Sequence, residues 1–247
     1  MAVPWIHVTG LGLDGFAAAP LPALMTRTVG TMPEQMGRYV LAAVASWAER
    51  HHELAAAQAA GEWLDVGARV WPTRALVLGT GLAASGVARA LRSVGLSVVG
   101  VNRSGRAAPD FDRVVGWDDL DSVLDPAPEV VVNLLPGAAS TESVVGDSLF
   151  SRLSGALFVN PGRGSTVDDG ALLGALDAGR VDTAWLDVFR TEPLPRDHWA
   201  WSHPGVRLTP HMAAVTRDED VVADLLAALD ALARGATPPT AITPPTP

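Results

Sequence analysis

From Arg74 onward the chain is organised by six short apolar runs, "RALVLG", "LSVVGV", "EVVVNLL", "GALFVN", "VDTAWLDV" and "GVRLTP", separated by helix-like or loop segments. Apolar residues are continuous within each run and do not alternate with polar ones. A strand of that kind is buried on both faces, which requires helices above and below a parallel sheet. The rhythm therefore predicts an α/β fold built on a doubly wound parallel sheet. Ahead of it, "WIHVT" (Trp5–Thr9) reads as a short buried strand entering the glycine-rich "GLGLDG". "PEQMGRYVLAAVASWAERHHELAAAQAAGEW" reads as one long helix from Pro33 to Ala60, with proline at its start. His51 and His52 within it lack HExxH spacing and are expected to face solvent. A last helix is expected over about 217–234, and the proline- and threonine-rich "ATPPTAITPPTP" should be disordered.

The first run delivers a loop with its own chemistry. "LVLGTGLAASG" sets Gly79-Thr80-Gly81-Leu82-Ala83 between a strand and a helix. The first glycine permits a tight turn, and the second lets backbone approach a pyrophosphate at the helix N-terminus. Ala84 occupies the third fingerprint position, with Gly86 two residues on. This is the Rossmann pattern; a glycine turn that only packs a helix on a sheet is the alternative. The second run ends at Asn102, roughly twenty residues past Gly79, where an NAD-selective site carries a carboxylate for the ribose 2′-hydroxyl. Here the chain reads "NRSGR". Asn102, Arg103, Ser104 and Arg106 bring guanidinium forks and a hydroxyl and no carboxylate, so NADP(H) is predicted over NAD(H). A solvated basic loop is the competing reading.

Composition closes other routes. The net charge of −9 argues against a nucleic-acid groove. With no cysteine, disulfides and thiolate chemistry are excluded, and all 18 basic residues are arginine, which excludes Schiff-base and pyridoxal chemistry. No apolar run approaches the roughly 18 residues of a membrane span, and Met1–Pro4 lacks a basic leader. A soluble cytoplasmic protein with no metal is expected.

Ligands of open α/β sheets bind beyond the carboxyl ends of the strands. In this chain those ends deliver Leu135-Pro136, Asn160 with Arg163, Asp187 with Glu192, and His211. An arginine, a glutamate and a histidine at one edge, beside a nucleotide loop, suit hydride transfer to a 2-oxo acid. Protonated His211 would supply the alkoxide's proton, Glu192 would favour the imidazolium, and Arg163 would bind the substrate carboxylate. Trp199 and Trp201 either line the pocket or pack on the sheet edge.

"VNPGRGSTVDDGALLGALDAGRV", "LDVFRTEPLP" and "HPGVRLTPHMAAVT" resemble, in order, the signatures of the D-isomer-specific 2-hydroxyacid dehydrogenases. The chain is most similar to the glyoxylate/hydroxypyruvate reductase branch, from about Trp5 to Arg234. The resemblance implies Arg163, Glu192 and His211 as catalytic residues and Asp187 as partner of the nicotinamide carboxamide. It also implies that "LPGAAST", with Leu135, Pro136 and Thr141, lines the cofactor, joined by Pro161, Gly162, His211 and Ala213. Gly10, Leu11, Gly12 and Leu13 match a substrate loop whose amides, with Arg163, hold the substrate carboxylate. That loop closes an N-terminal substrate domain in the family and begins at residue 10 here, so a truncated remnant is expected. The organisation expected is then a substrate-domain remnant over 1–30, an NADP(H)-binding domain over 31–215, a helix over 216–235 and a disordered tail over 236–247. Homodimerisation around the long helix is implied as well. Three readings stand: a compact reductase producing a D-2-hydroxy acid, a catalytically weak nucleotide-binding protein, and a subunit completed by a partner chain.

Overall fold

The computed structural model describes residues 4–12, 22 and 24–242. Its main sheet has strands β3 (Arg74–Leu78), β4 (Ser97–Asn102), β5 (Arg113–Gly116), β6 (Val130–Asn133), β7 (Ala156–Asn160), β8 (Val181–Leu186) and β9 (Val206–Leu208). They lie in the order β5-β4-β3-β6-β7-β8-β9, and every pair is parallel. The direction of winding reverses between β3 and β6, the place where such sheets open a ligand crevice. Alternate residues explain the unbroken apolar runs. Leu76, Leu78, Val131 and Phe158 enter a core on one face, while Ala75, Val77, Val132 and Leu157 enter a core on the other. Strand β5 escaped the sequence reading because it is a four-residue edge strand that begins on an exposed arginine.

Helices α1 (Met32–Ala48) and α3 (Leu82–Ser93) cover one face. Their backbones touch at two glycines. A Cβ on Gly86 would stand 2.0 Å from Pro33 O, and one on Gly37 would stand 2.7 Å from Gly86 O. The close approach of the two helices thus falls at Gly86, two residues past the third fingerprint position; Ala84 at that position is an ordinary core residue, 1% exposed. Helices α4 (Asp147–Phe150) and α5 (Asp169–Asp177) contribute Leu149, Phe150, Leu172 and Leu176 to the other core.

The long helix expected over 33–60 is two helices. Arg50 takes a left-handed conformation at φ 53°, and α2 (His51–Ala60) leaves in a new direction. The buried stripe Met36, Val40, Ala43, Val44 and Ala48 pays out at the end of α1, and α2 buries only Ala57, so no core contact keeps the two collinear. Arg50 fastens the break by hydrogen bonding to Glu53 and to Val66 O. His51 is exposed as expected, but His52 is half-buried.

At the N-terminal end, β1 (Trp5–Val8) pairs in parallel with β2 (Leu24–Arg27). The expected disordered tail is corrected in part: β10 (Ala241–Ile242) pairs antiparallel with β2, because that strand offers a free edge on its other side. Where a single strand was expected, the described residues form a three-stranded sheet, β1-β2-β10. Helix α6 (Asp218–Ala233) is bonded to the segment that leads from β2 into α1. Asp224 accepts from the amides of Val29 and Gly30, and Asp220 accepts from the amide and hydroxyl of Thr31. No described helix is long and apolar enough to cross a membrane.

Candidate active site

The nucleotide loop follows directly from β3. Gly79 sits at φ 100°, and a Cβ there would come within 2.7 Å of Leu134 O, so glycine is required. Gly81 caps α3, and a Cβ built on it meets nothing within 4 Å. The space that a pyrophosphate needs at the first turn of α3 is thus present beside Thr80, Leu82 and Ala83. Asn102, at the end of β4, is held across this loop: its amide donates to Thr80 Oγ1 at 3.0 Å and to Arg106 O at 2.8 Å, and its oxygen accepts from Ser104 N. Asn102 therefore shapes the turn that presents Arg103, Ser104 and Arg106, all exposed.

The next two strand ends form a unit that the sequence reading missed. Asn133 and Asn160 close adjacent parallel strands and are almost fully buried. Asn133 Nδ2 donates to Asn160 Oδ1 at 2.9 Å and to Thr166 Oγ1 at 2.7 Å. Asn160 in turn donates to Arg163 O, Gly162 N donates to Asn160 Oδ1, and Thr166 Oγ1 donates to Arg163 O. A buried amide pair costs free energy unless satisfied, so this network fixes the backbone that carries Arg163. The signal was legible: neighbouring runs "VVVN" and "LFVN" both end in Val-Asn. Gly164 presses the turn onto the next element, since its Cβ would lie 2.0 Å from Phe189 C.

Asp187 organises the last edge. It is 1% exposed, and its carboxylate accepts from Thr209 Oγ1 at 2.5 Å, Met212 N at 2.9 Å and Ala213 N at 2.9 Å. His211 follows Pro210 with φ 53°, a left-handed conformation that a non-glycine residue keeps only when its surroundings impose it. Its ring Nδ1 lies 2.7 Å from Glu192 Oε2, and Glu192 Oε1 accepts from Phe189 N at 2.8 Å. Burial alone would raise the Glu192 carboxyl; hydrogen bonds from His211 and Phe189 N and the positive charges of His211 and Arg163 outweigh it and hold the group below its ordinary value. Glu192, His211 and Arg163 are thus electrostatically one cluster. A cleft of about 560 Å³ opens beside it, walled by Phe189, Leu194, Trp201, Leu208 and Pro210. The tryptophans divide: Trp199 packs against the core, while Trp201 lines the cleft with its N–H on Pro195 O.

Other expected site residues fall around this edge. Leu135, Pro161, Gly162 and Ala213 are buried, leaving backbone as their route to a ligand. Thr141 Oγ1 closes its loop on Pro136 O at 2.6 Å. Gly10, Leu11 and Gly12 form the turn after β1, held by Arg27 Nη1 on Leu11 O and by Thr216 Oγ1 on Thr9 O. Thr216, which anchors this turn, lies five residues past His211 in the chain. Leu13 lies outside the described residues.

The family model for the D-isomer specific 2-hydroxyacid dehydrogenase, NAD binding domain, matches residues 41–213. The chain is 38% identical to an uncharacterized protein of Streptomyces coelicolor over 97% of this chain and 87% of that one. It is 33% identical to glyoxylate/hydroxypyruvate reductase A of Serratia proteamaculans over 91% of this chain and 72% of the relative. Among solved structures, an NADPH-dependent glyoxylate/hydroxypyruvate reductase from Sinorhizobium meliloti in complex with NADP and sulfate superposes with a TM-score of 0.88 at 26% identity, covering 97% of this chain and 78% of that one. A D-isomer specific 2-hydroxyacid dehydrogenase from Xanthobacter autotrophicus in complex with NADPH and MES superposes with a TM-score of 0.88 at 28% identity, covering 98% and 78%. With the glycine loop, the parallel sheet and the family match in agreement, this chain belongs to the D-isomer-specific 2-hydroxyacid dehydrogenases, a family of NAD(P)-dependent oxidoreductases.

Proposed function

We propose that the protein is an NADP(H)-dependent reductase that converts a 2-oxo acid of the glyoxylate or hydroxypyruvate type, or a bulkier one, to the D-2-hydroxy acid. The observation that carries this reading is the 2.7 Å contact of His211 Nδ1 with Glu192 Oε2 at the mouth of a cleft beyond the sheet's carboxyl edge. The reduced nicotinamide, when bound, supplies the hydride. With Nδ1 engaged by Glu192, His211 Nε2 carries the proton that goes to the substrate's carbonyl oxygen. The Glu192 carboxylate favours the imidazolium and fixes the ring's orientation. Arg163 takes the substrate carboxylate with its planar fork, aided by the amides of the Gly10–Gly12 turn. General acid catalysis of this kind is worth about 10²–10⁴-fold.

Gly79–Ala83 would cradle the pyrophosphate, with Leu135, Pro136, Thr141, Pro161, Gly162 and Ala213 along the cofactor and Asp187 at its carboxamide. Preference for NADP(H) is supported by Arg103 and Arg106, exposed after β4 and in no ion pair among the described residues. Two structural relatives are named in complex with NADP and with NADPH. A homodimer is supported by the segment after α2, where Trp63 is 101% and Val70 78% exposed.

The test is NADPH oxidation followed at steady state across a panel of 2-oxo acids, with His211→Ala alongside. Turnover that vanishes in the variant is expected. Tight NADPH binding without turnover of any acid by the wild type would overturn the reading in favour of a binding protein or a subunit awaiting a partner.

A further inference from the structure

We propose that Tyr39, on α1, is a positioning residue for His211 and acts through a hydrogen-bonded relay of Thr209 and Asp187; this rests on the reading of His211 as the proton donor. Tyr39 Oη lies 2.6 Å from Thr209 Oγ1, and Thr209 Oγ1 lies 2.5 Å from Asp187 Oδ1. A hydroxyl has one proton. Thr209 must give its proton to the carboxylate, which can only accept, so the Tyr39 O–H donates into the Thr209 oxygen. The direction of the relay is therefore set: Tyr39 to Thr209 to Asp187.

Beyond Asp187 the relay reaches three consecutive amides. Its backbone oxygen accepts from His211 N at 2.8 Å, its Oδ1 accepts from Met212 N, and its Oδ2 accepts from Ala213 N. These bonds pin the loop at the residue whose φ is 53°. A left-handed histidine relaxes toward ordinary backbone conformations once its neighbours stop imposing it. The catalytic ring would then leave Glu192, although nothing that touches the ring had been altered. Burial pushes the Tyr39 phenol above its ordinary value, so it remains a donor throughout the neutral range. Tyr39 also stands on the helix that packs against α3, whose first turn borders the nucleotide loop. The relay thus joins the cofactor layer to the catalytic loop, a link that neither glycine motif nor catalytic triad contains.

The test uses Tyr39→Phe, Thr209→Val, the double variant and Thr209→Ser in the full chain. Two quantities are read: steady-state kcat with KM for NADPH, and backbone amide exchange at residues 211–213 by NMR in the unliganded protein. Tyr39→Phe and Thr209→Val are each expected to lower kcat about tenfold, the effect of losing one half-buried hydrogen bond in a network. KM for NADPH should stay within about twofold, since the Gly79–Ala83 loop and the Arg103 and Arg106 side chains are untouched. The double variant should be no worse than the poorer single one, and Thr209→Ser, which keeps the hydroxyl, should restore kcat. Amides 211–213 should exchange faster in Tyr39→Phe while those of β3 do not change. Unchanged exchange at 211–213 in Tyr39→Phe overturns the relay, as do losses of kcat that multiply in the double variant. A wild type without turnover would sink the reading of His211, and the exchange arm would still decide whether the relay holds the loop.

Discussion

Replacing Glu192 with glutamine preserves the side chain's shape and removes its charge, which isolates what the carboxylate does for His211. Glu192 uses both oxygens: Oε1 accepts from Phe189 N at 2.8 Å and Oε2 faces His211 Nδ1 at 2.7 Å. Glutamine has one oxygen and one amino group. Either the oxygen stays on Phe189 N and the amino group confronts Nδ1, which must then give up its proton, or the amide flips and two donors meet at Phe189. One charge-assisted bond is lost in both cases. Such bonds contribute about 1.5–3 kcal/mol. The Glu192 side chain is 36% exposed, so solvent screening places the loss at the low end of that span. At about 1.36 kcal/mol per decade, kcat should fall roughly ten- to thirtyfold. KM for NADPH should not move, because Glu192 is distant in the chain from the nucleotide loop and shares no bond with it. The pH profile adds a second check. The folded carboxyl lies below its ordinary value of 4.5, so its attraction for His211 is present above that value and is lost only as pH falls through the lowered one. Wild-type kcat should therefore show an acid limb below the ordinary carboxylate range that Glu192→Gln lacks. Steady-state NADPH oxidation between neutral and acid pH measures both. A variant that keeps its kcat and its acid limb would refute the assignment of Glu192 as the group that orients and charges His211.

Three further outcomes follow from particular contacts. Gly86→Ala places a Cβ 2.0 Å from Pro33 O, between two backbones that have no flexible end to yield; overpacking of this kind costs about 1–3 kcal/mol, more than alanine's helix preference returns, and thermal unfolding should show a drop of several degrees. Arg103→Ala should raise KM for NADPH about tenfold or more and leave NADH unaffected, since only the former brings a 2′-phosphate to the guanidinium; equal effects on the two cofactors would count against NADP(H) selectivity. Asp187→Asn cannot accept all three donors that converge on the buried carboxylate; urea titration should show a loss of about 1–3 kcal/mol, with kcat reduced in the same variant.

Much of this arrangement could be read from residue order. Continuous apolar runs announce strands covered on both faces, and Gly79 and Gly81 straight after such a run announce a nucleotide turn, because those properties depend on neighbours within a few residues. Glu192 and His211 could be placed at strand ends for the same reason. Their 2.7 Å contact could not, since it joins residues 19 apart through the pairing of β8 with β9. Asn133 and Asn160 look like the last residues of ordinary strands until β6 and β7 are laid side by side and the two amides bond. The helical pattern through Arg50 is unbroken in sequence, and only the end of the buried stripe at Ala48 frees the chain to turn there.

The sequence by itself determined the class of sheet, the glycine turn after its first strand and the chemical types of the three groups proposed as catalytic, because periodicity, glycine and side-chain type are local properties. The tertiary structure alone decided which glycine lets α1 meet α3, which tail residues complete the small sheet, and that Asp187 holds the loop of His211. Each of these depends on distances between segments far apart in the chain, which only the packed fold sets.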